Sequence, residues 1–199
     1  MRADAQKNYE HLLATARQVF SGQGADASLR DVARKAGVGL GTLYRHFPTR
    51  EALLEALLRT GFDDLAARAG ELETVSAADE ALVSWLHEFV ACAHNYRGVV
   101  TAMMAAIADA NSALHASCVT MKAAGTRLLT RAQAAGKART DIDGADLFAL
   151  AGALAWLNDQ PSLAQNSERL FDVVATALLT NRKEPLASAE LPRRRTKRR

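Results

Sequence analysis

The segment SLRDVARKAGVGLGTLYRHFPTREALLEAL, Ser28 to Leu57, alternates helix-forming and helix-breaking residues on the scale of one or two turns. Ser28 is placed to cap a first short helix by accepting the amide three residues on, with Asp31 at the matching capping-box position. Leu29, Val32, Ala33 and Ala36 give that helix one apolar stripe, and Arg30, Arg34 and Lys35 point away from it. Gly37-Val38-Gly39 follows at once; a glycine there can take a positive φ and turn the chain, and Gly39 can serve as the next N-cap. Leu43 and Phe47 lie one turn apart and face inward with Val38, which leaves Thr42, Arg45 and His46 outside. Pro48 ends this second helix. Thr49 caps a longer one, read as a connecting helix over residues 50–69, with Leu53, Leu54, Leu57 and Leu58 on its apolar side. Helix, tight turn and short helix form the layout of a helix-turn-helix that offers its second helix to the DNA major groove. Gly39 and Gly41 carry no side chain, so the backbone at the positive end of that helix can approach phosphate closely.

Outward from this segment the pattern stays helical. Tyr9, Leu12, Leu13, Ala16 and Phe20 share one face of a preceding helix that Gly22 and Gly24 stop. Downstream, Ser76 is read as the cap of a helix carrying Leu82, Trp85, Leu86 and Phe89. A break follows at residues 95–98, then a Met-rich stretch, a long run from Asn111 to about Gly136, a helix opened by Asp143 and Gly144, and a last helix over residues 168–181. Nothing alternates like a strand. Ala and Leu dominate, with Gly at 12 and Pro at 4 of 199 residues. The expected class is all-α: a three-helix DNA-binding unit over residues 1–50, then a larger helical domain over residues 51–181 for effector binding and dimerisation.

Charge is unevenly placed. Residues 1–50 hold eight Lys or Arg against four acids, residues 51–181 nine against sixteen, and residues 182–199 eight against two. A basic head on an acidic body suits a polyanion at one end only. The tail over 182–199 is expected to be disordered, either a solvated extension or a source of non-specific phosphate affinity. The polar N-terminus does not read as a secretory signal, and the apolar run near Val99–Ala108 is too short for a bilayer, so no membrane partner is expected. Cys92 and Cys118 read as small buried hydrophobes in a reducing, cytoplasmic setting.

The segment resembles the TetR family of bacterial repressors. The resemblance rests on Ser28, Val32-Ala33, Ala36-Gly37-Val38, Gly41-Thr42-Leu43-Tyr44, His46-Phe47, Arg50-Glu51 and Leu53, with Leu13, Ala16, Phe20 and Gly24 upstream. It covers about residues 7–57. It implies phosphate contacts from Thr42 and Tyr44, base contacts from Arg45 and Leu40, a base or phosphate contact from Arg30, support from His46, and a phosphate contact from Arg50, where the family usually has lysine. Gly39 stands where serine is common, and Leu40 and Gly41 are both non-polar. Direct base readout is therefore thin, and specificity leans on Arg45, Arg30 and DNA shape.

Other readings are weaker. Gly37, Gly39 and Gly41 do not make a dinucleotide loop, because position 42 is Thr and no strand precedes. His87 and His94, seven residues apart, are too distant to share a metal, and no catalytic motif is present, so neither cofactor nor enzyme activity is expected. Trp85, Phe89, Met103 and Met104, with Ile107, Met121 and Trp156, are ordinary core or the lining of a pocket for an apolar effector. Phe148, Ala151 and Ala155, with Phe171, Val174 and Leu178, are expected to meet a second copy in a four-helix bundle, while Leu150 and Leu154 face the body. The implied partners are double-stranded DNA, a second copy and a small molecule. A helical ligand-binding protein with no DNA role is the alternative.

Overall fold

The computed structural model describes residues 2–24, 27–96, 98–158, 160 and 162–179, with side chains from residue 6 onward apart from that of residue 164. The tail over 182–199 lies outside them. Every regular element among the described residues is helical: α1 (Arg2–Gln23), α2 (Leu29–Lys35), α3 (Leu40–His46), α4 (Arg50–Val75), α5 (Ala78–Asn95), α6 (Val99–Ala102), α7 (Met104–Ala108), α8 (Ala113–Ala134), α9 (Gly144–Asn158) and α10 (Ser167–Leu179). None is long and apolar enough to cross a membrane.

The head closes around a small core. Leu12, Ala16, Val19 and Phe20 of α1 meet Leu29, Val32 and Ala33 of α2, Leu43 of α3, Phe47, and Leu53 of α4. The Ser28 hydroxyl accepts from the Arg30 amide at 3.2 Å, two residues on rather than three. Asp31 does not complete a capping box; its carboxylate takes Arg34 at 2.7 Å. Gly37 has φ +68°, the left-handed conformation that lets the chain reverse between α2 and α3. Thr49 accepts from the Ala52 amide at 3.0 Å and starts α4.

The α4 helix runs six residues past the expected end at 69, because nothing before Ser76 breaks it; Ser76 is its C-cap, not the N-cap of α5. The long α4 lies against α8, and α5 and α9 complete the body. Two glycines make this packing close. A Cβ on Gly125 of α8 would overlap the Trp85 ring, so the six-membered end of the indole fits where no side chain intervenes. Its Nε1 donates to the Leu65 carbonyl of α4 at 2.8 Å. A Cβ on Gly61 of α4 would stand 2.9 Å from the Tyr96 ring.

The last two helices differ from expectation. Leu150 is 37% exposed, while Ala151 (0%), Ala155 (9%), Phe171 (7%) and Leu178 (3%) are buried within the protomer. Phe148 packs edge-on against Trp85 and Phe89 of α5, with ring centroids 5.9 and 5.6 Å away. Of the residues assigned to a subunit contact, only Val174 and Phe148 keep partial exposure. The cause is α9 itself: a helix apolar on nearly every side carries no phase from which to tell the inner face from the outer one. What α9 and α10 do leave uncovered is Leu150, Ala153, Trp156, Val173 and Ala177.

Candidate nucleic-acid interface

The α3 helix stands at the surface because only one of its sides is apolar. Leu43 is fully buried and Phe47 just beyond the helix is 2% exposed, and these two hold it to α1 and α2. Tyr44 is 44% exposed, and Arg45, Gly39 and Gly41 are exposed with it. Thr42, Leu40 and His46 are half-buried at the edges of this face; Leu40 packs on the head core, which limits what it can offer a base edge. His46 sits beside Tyr9 and Phe47, with centroids 6.2 and 6.5 Å away. Gly39 has an ordinary extended φ of −67° and caps α3 with no side-chain bond. Nothing lies within 4 Å of where a Cβ of Gly39 or Gly41 would be, so these glycines leave a clear approach to the helix start rather than relieving a clash. Arg30 is exposed on α2.

Arg50 differs from the others. Its guanidinium turns inward, donating from Nη1 to the Ala27 carbonyl at 2.8 Å and lying 5.4 Å over the Phe20 ring. The arginine therefore ties the start of α4 to the loop between α1 and α2 and to α1 itself. The other tie between α1 and α2 is His11, whose Nε2 lies 3.1 Å from the Ala36 carbonyl.

Behind the head, the body forms a partly open cavity of about 380 Å³. Five of the seven residues assigned to an effector pocket line it: Phe89, Met104, Ile107, Met121 and Trp156. Trp85 does not; it is wholly buried and spends its polar atom on Leu65. Met103, 6% exposed, does not line it either. Sequence reasoning missed Leu58, Phe62 and Leu65 on α4, although their i, i+4, i+7 spacing is a legible stripe, and it missed Tyr96, Cys92, Thr101 and Lys122. Burial pushes the Cys92 thiol up to about 11 and also raises Cys118, so neither presents a thiolate to the cavity.

A second contact joins body to head. Arg17 of α1 donates to Asp64 of α4 at 2.9 Å, and its charge also acts on the Tyr96 phenol. Tyr96 thus borders the cavity and lies within the influence of Arg17 on α1. Burial raises the Tyr96 phenol, with Arg17 opposing that rise.

Among the described residues no group of His, Cys, Asp and Glu could hold a metal ion. Residues 12–57 match the family described as bacterial regulatory proteins, tetR family, and residues 77–179 match the SbtR-like transcriptional regulator C-terminal domain. The chain is 33% identical over 110 residues to the HTH-type transcriptional regulator UidR of Escherichia coli (strain K12), covering 53% of this chain and 54% of that one. It is 34% identical over 90 residues to the HTH-type transcriptional repressor KstR2 of Rhodococcus jostii, covering 42% and 44%. These alignments span about half the length of the curated relatives or less. The solved TetR transcriptional regulator SCO0520 from Streptomyces coelicolor superposes with a TM-score of 0.70 at 38% identity, covering 86% of this chain and 98% of that one. A TetR regulatory protein from Mycobacterium vanbaalenii gives 0.69 at 31% identity, covering 90% and 99%. With one family model on the head, another on the body and such structures along nearly its whole length, the chain belongs to the TetR family of transcriptional regulators.

Proposed function

We propose that the protein is a ligand-responsive repressor that grips a palindromic operator as a homodimer and releases it when an apolar small molecule fills the cavity. One observation carries this reading. The α4 helix begins at the DNA-facing head, where Arg50 clamps it, and lines the cavity two to four turns later with Leu58, Phe62 and Leu65. A guest that moves those residues moves the mount of α3. The effector need only bind the DNA-incompetent shape better, and a coupling of about 1–3 kcal/mol changes operator affinity about 5–150-fold.

In this proposal residues 1–50 read DNA, and residues 51–181 sense and dimerise. Thr42, Tyr44, Arg45 and Arg30 meet the operator, with the backbone at Gly39 and Gly41 against phosphate. The subunit contact runs through the uncovered apolar residues Leu150, Ala153, Val173 and Ala177 rather than through those buried in the protomer. Two recognition helices about 34–36 Å apart then require two half-sites one DNA turn apart, or slightly more. The repressor reading draws on KstR2, whose name carries that role.

Selection of bound genomic fragments followed by footprinting tests the proposal. A protected inverted repeat is expected, as is dissociation of the complex by one fraction of a metabolite extract. Binding indifferent to sequence would overturn the operator claim and favour a ligand-binding protein without a DNA role. Sedimentation of Leu150→Arg/Val173→Glu should show monomers where the wild type shows dimers; an unchanged dimer would put the contact elsewhere.

A further inference from the structure

One charged side chain, exposed to solvent, stands at the edge of the cavity behind α4. Lys122 of α8 is the single charged side chain among the residues lining it, and no Asp or Glu lines it. Some arginines of the same protomer behave otherwise. Arg17, Arg68, Arg127 and Arg139 each meet a carboxylate within 3.1 Å. Lys122 meets none among the described residues; its ammonium lies 6.0 Å from the ring of Phe148, which borders the adjoining groove that Lys122 shares with Asp143. Its field nevertheless reaches the lining, since it opposes the burial that raises the Cys118 thiol one turn away. Trp156 and Met104, 60% and 53% exposed, also line the cavity, giving an aromatic plane and a pliable thioether beside that ammonium.

A lysine left unpaired beside an apolar chamber is a place for an anion whose remaining atoms are apolar. A carboxylate there gains a charge-assisted hydrogen bond and meets no acid in the cavity lining, while an amine would face like charge. A chamber of about 380 Å³ lies within the size range of small-molecule sites. We propose that the effector is an apolar carboxylate, its ring or chain body held among Phe89, Met104, Met121 and Trp156 and its carboxylate oxygens on Lys122 Nζ. The inference rests on the reading of this cavity as the effector site and adds the chemical class to it.

Calorimetric titration of the full chain with three isosteric compounds tests it: 2-naphthoate, the neutral 2-naphthamide and (2-naphthylmethyl)ammonium. At pH 7 the acid should bind about tenfold tighter than the amide, and the ammonium weakest. In Lys122→Met the acid should lose that advantage while the amide keeps its Kd within about twofold. Lys122→Arg should retain the preference for the acid. Equal affinities of acid and amide for the wild type would overturn the carboxylate and leave an apolar effector site standing. A preference for acid that survives in Lys122→Met would remove Lys122 from the site. Failure of all three compounds to bind would overturn the cavity reading itself, and the carboxylate with it.

Discussion

The head and the body use much the same residues and differ in how many sides of each helix meet protein. The α2 and α3 helices each present one apolar side to the core and leave the other wet, so the spacing of Leu29, Val32 and Ala33, or of Leu43 and Phe47, states which way each side chain points. In the body, α9 carries Leu147, Leu150, Ala151, Leu154, Ala155 and Trp156 around nearly its full circumference. Its neighbours, not its periodicity, decide that Leu154 is buried and Leu150 and Trp156 are not. A surface that must meet DNA is fixed by contrast with the core. A surface that meets other apolar matter, whether a guest or a second copy, carries no such contrast.

Substitutions can break that comparison or sharpen it. The largest effect is expected in the body: Trp85→Ala should cost about 3–5 kcal/mol in urea unfolding, because it empties the space above Gly125 and leaves the Leu65 carbonyl without its donor. A loss under about 1 kcal/mol would mean that Trp85 is not the keystone of the α4–α5–α8 packing. In the head, Arg45→Ala should weaken operator binding by about 1–3 kcal/mol and relax sequence choice while leaving the melting temperature unchanged. If random DNA lost as much affinity as the operator, Arg45 would be contacting phosphate instead.

Arg50→Ala should do something a surface phosphate contact would not. Losing the Ala27 bond and the Phe20 stacking should lower unfolding stability by about 1 kcal/mol. The salt slope of DNA binding should stay near that of wild type, whereas a flattened slope with full stability would restore Arg50 to the phosphate backbone. The last test is titration at Cys92, which shows only at high pH. Burial raises its thiol from the ordinary 9.0 to about 11 in the fold, so between those values the unfolded chain loses a proton that the folded chain keeps. Stability should be flat with respect to this group below pH 9 and fall from there toward pH 11. Cys92→Ala should flatten part of that decline; an identical pH profile in the variant would place the titration elsewhere.

These outcomes trace the limit of what the sequence discloses. The turn at Gly37, the cap at Thr49 and the outward face of α3 follow from local chemistry, and all were legible. The inward turn of Arg50 was not, because its partner is a backbone carbonyl 23 residues away. The Ser28 cap was legible as a cap but not in its register, since Asp31 had a nearer cation in Arg34. In the body, Met104, Ile107 and Met121 were recognisable as cavity material by their softness, yet Trp85, the largest of the candidates, went to the core once Gly125 made room for it. Lys122 gave no local sign, because the absence of a carboxylate partner is a property of three dimensions.

Gly61 and Tyr96 give the molecule a second mount. Through α4 the reading head is fixed at one point, and a rod fixed at one point can swivel. Through Arg17, which pairs with Asp64 and faces Tyr96, α1 is fastened to the body as well, and the glycine lets Tyr96 sit hard against the rod. With two anchors the head moves as part of a linkage: sliding α4 against α5 must either carry α1 along or unfasten Arg17. The same tyrosine borders the chamber, so in the proposed mechanism the stiffness of the linkage and the fit of a guest would both depend on one side chain.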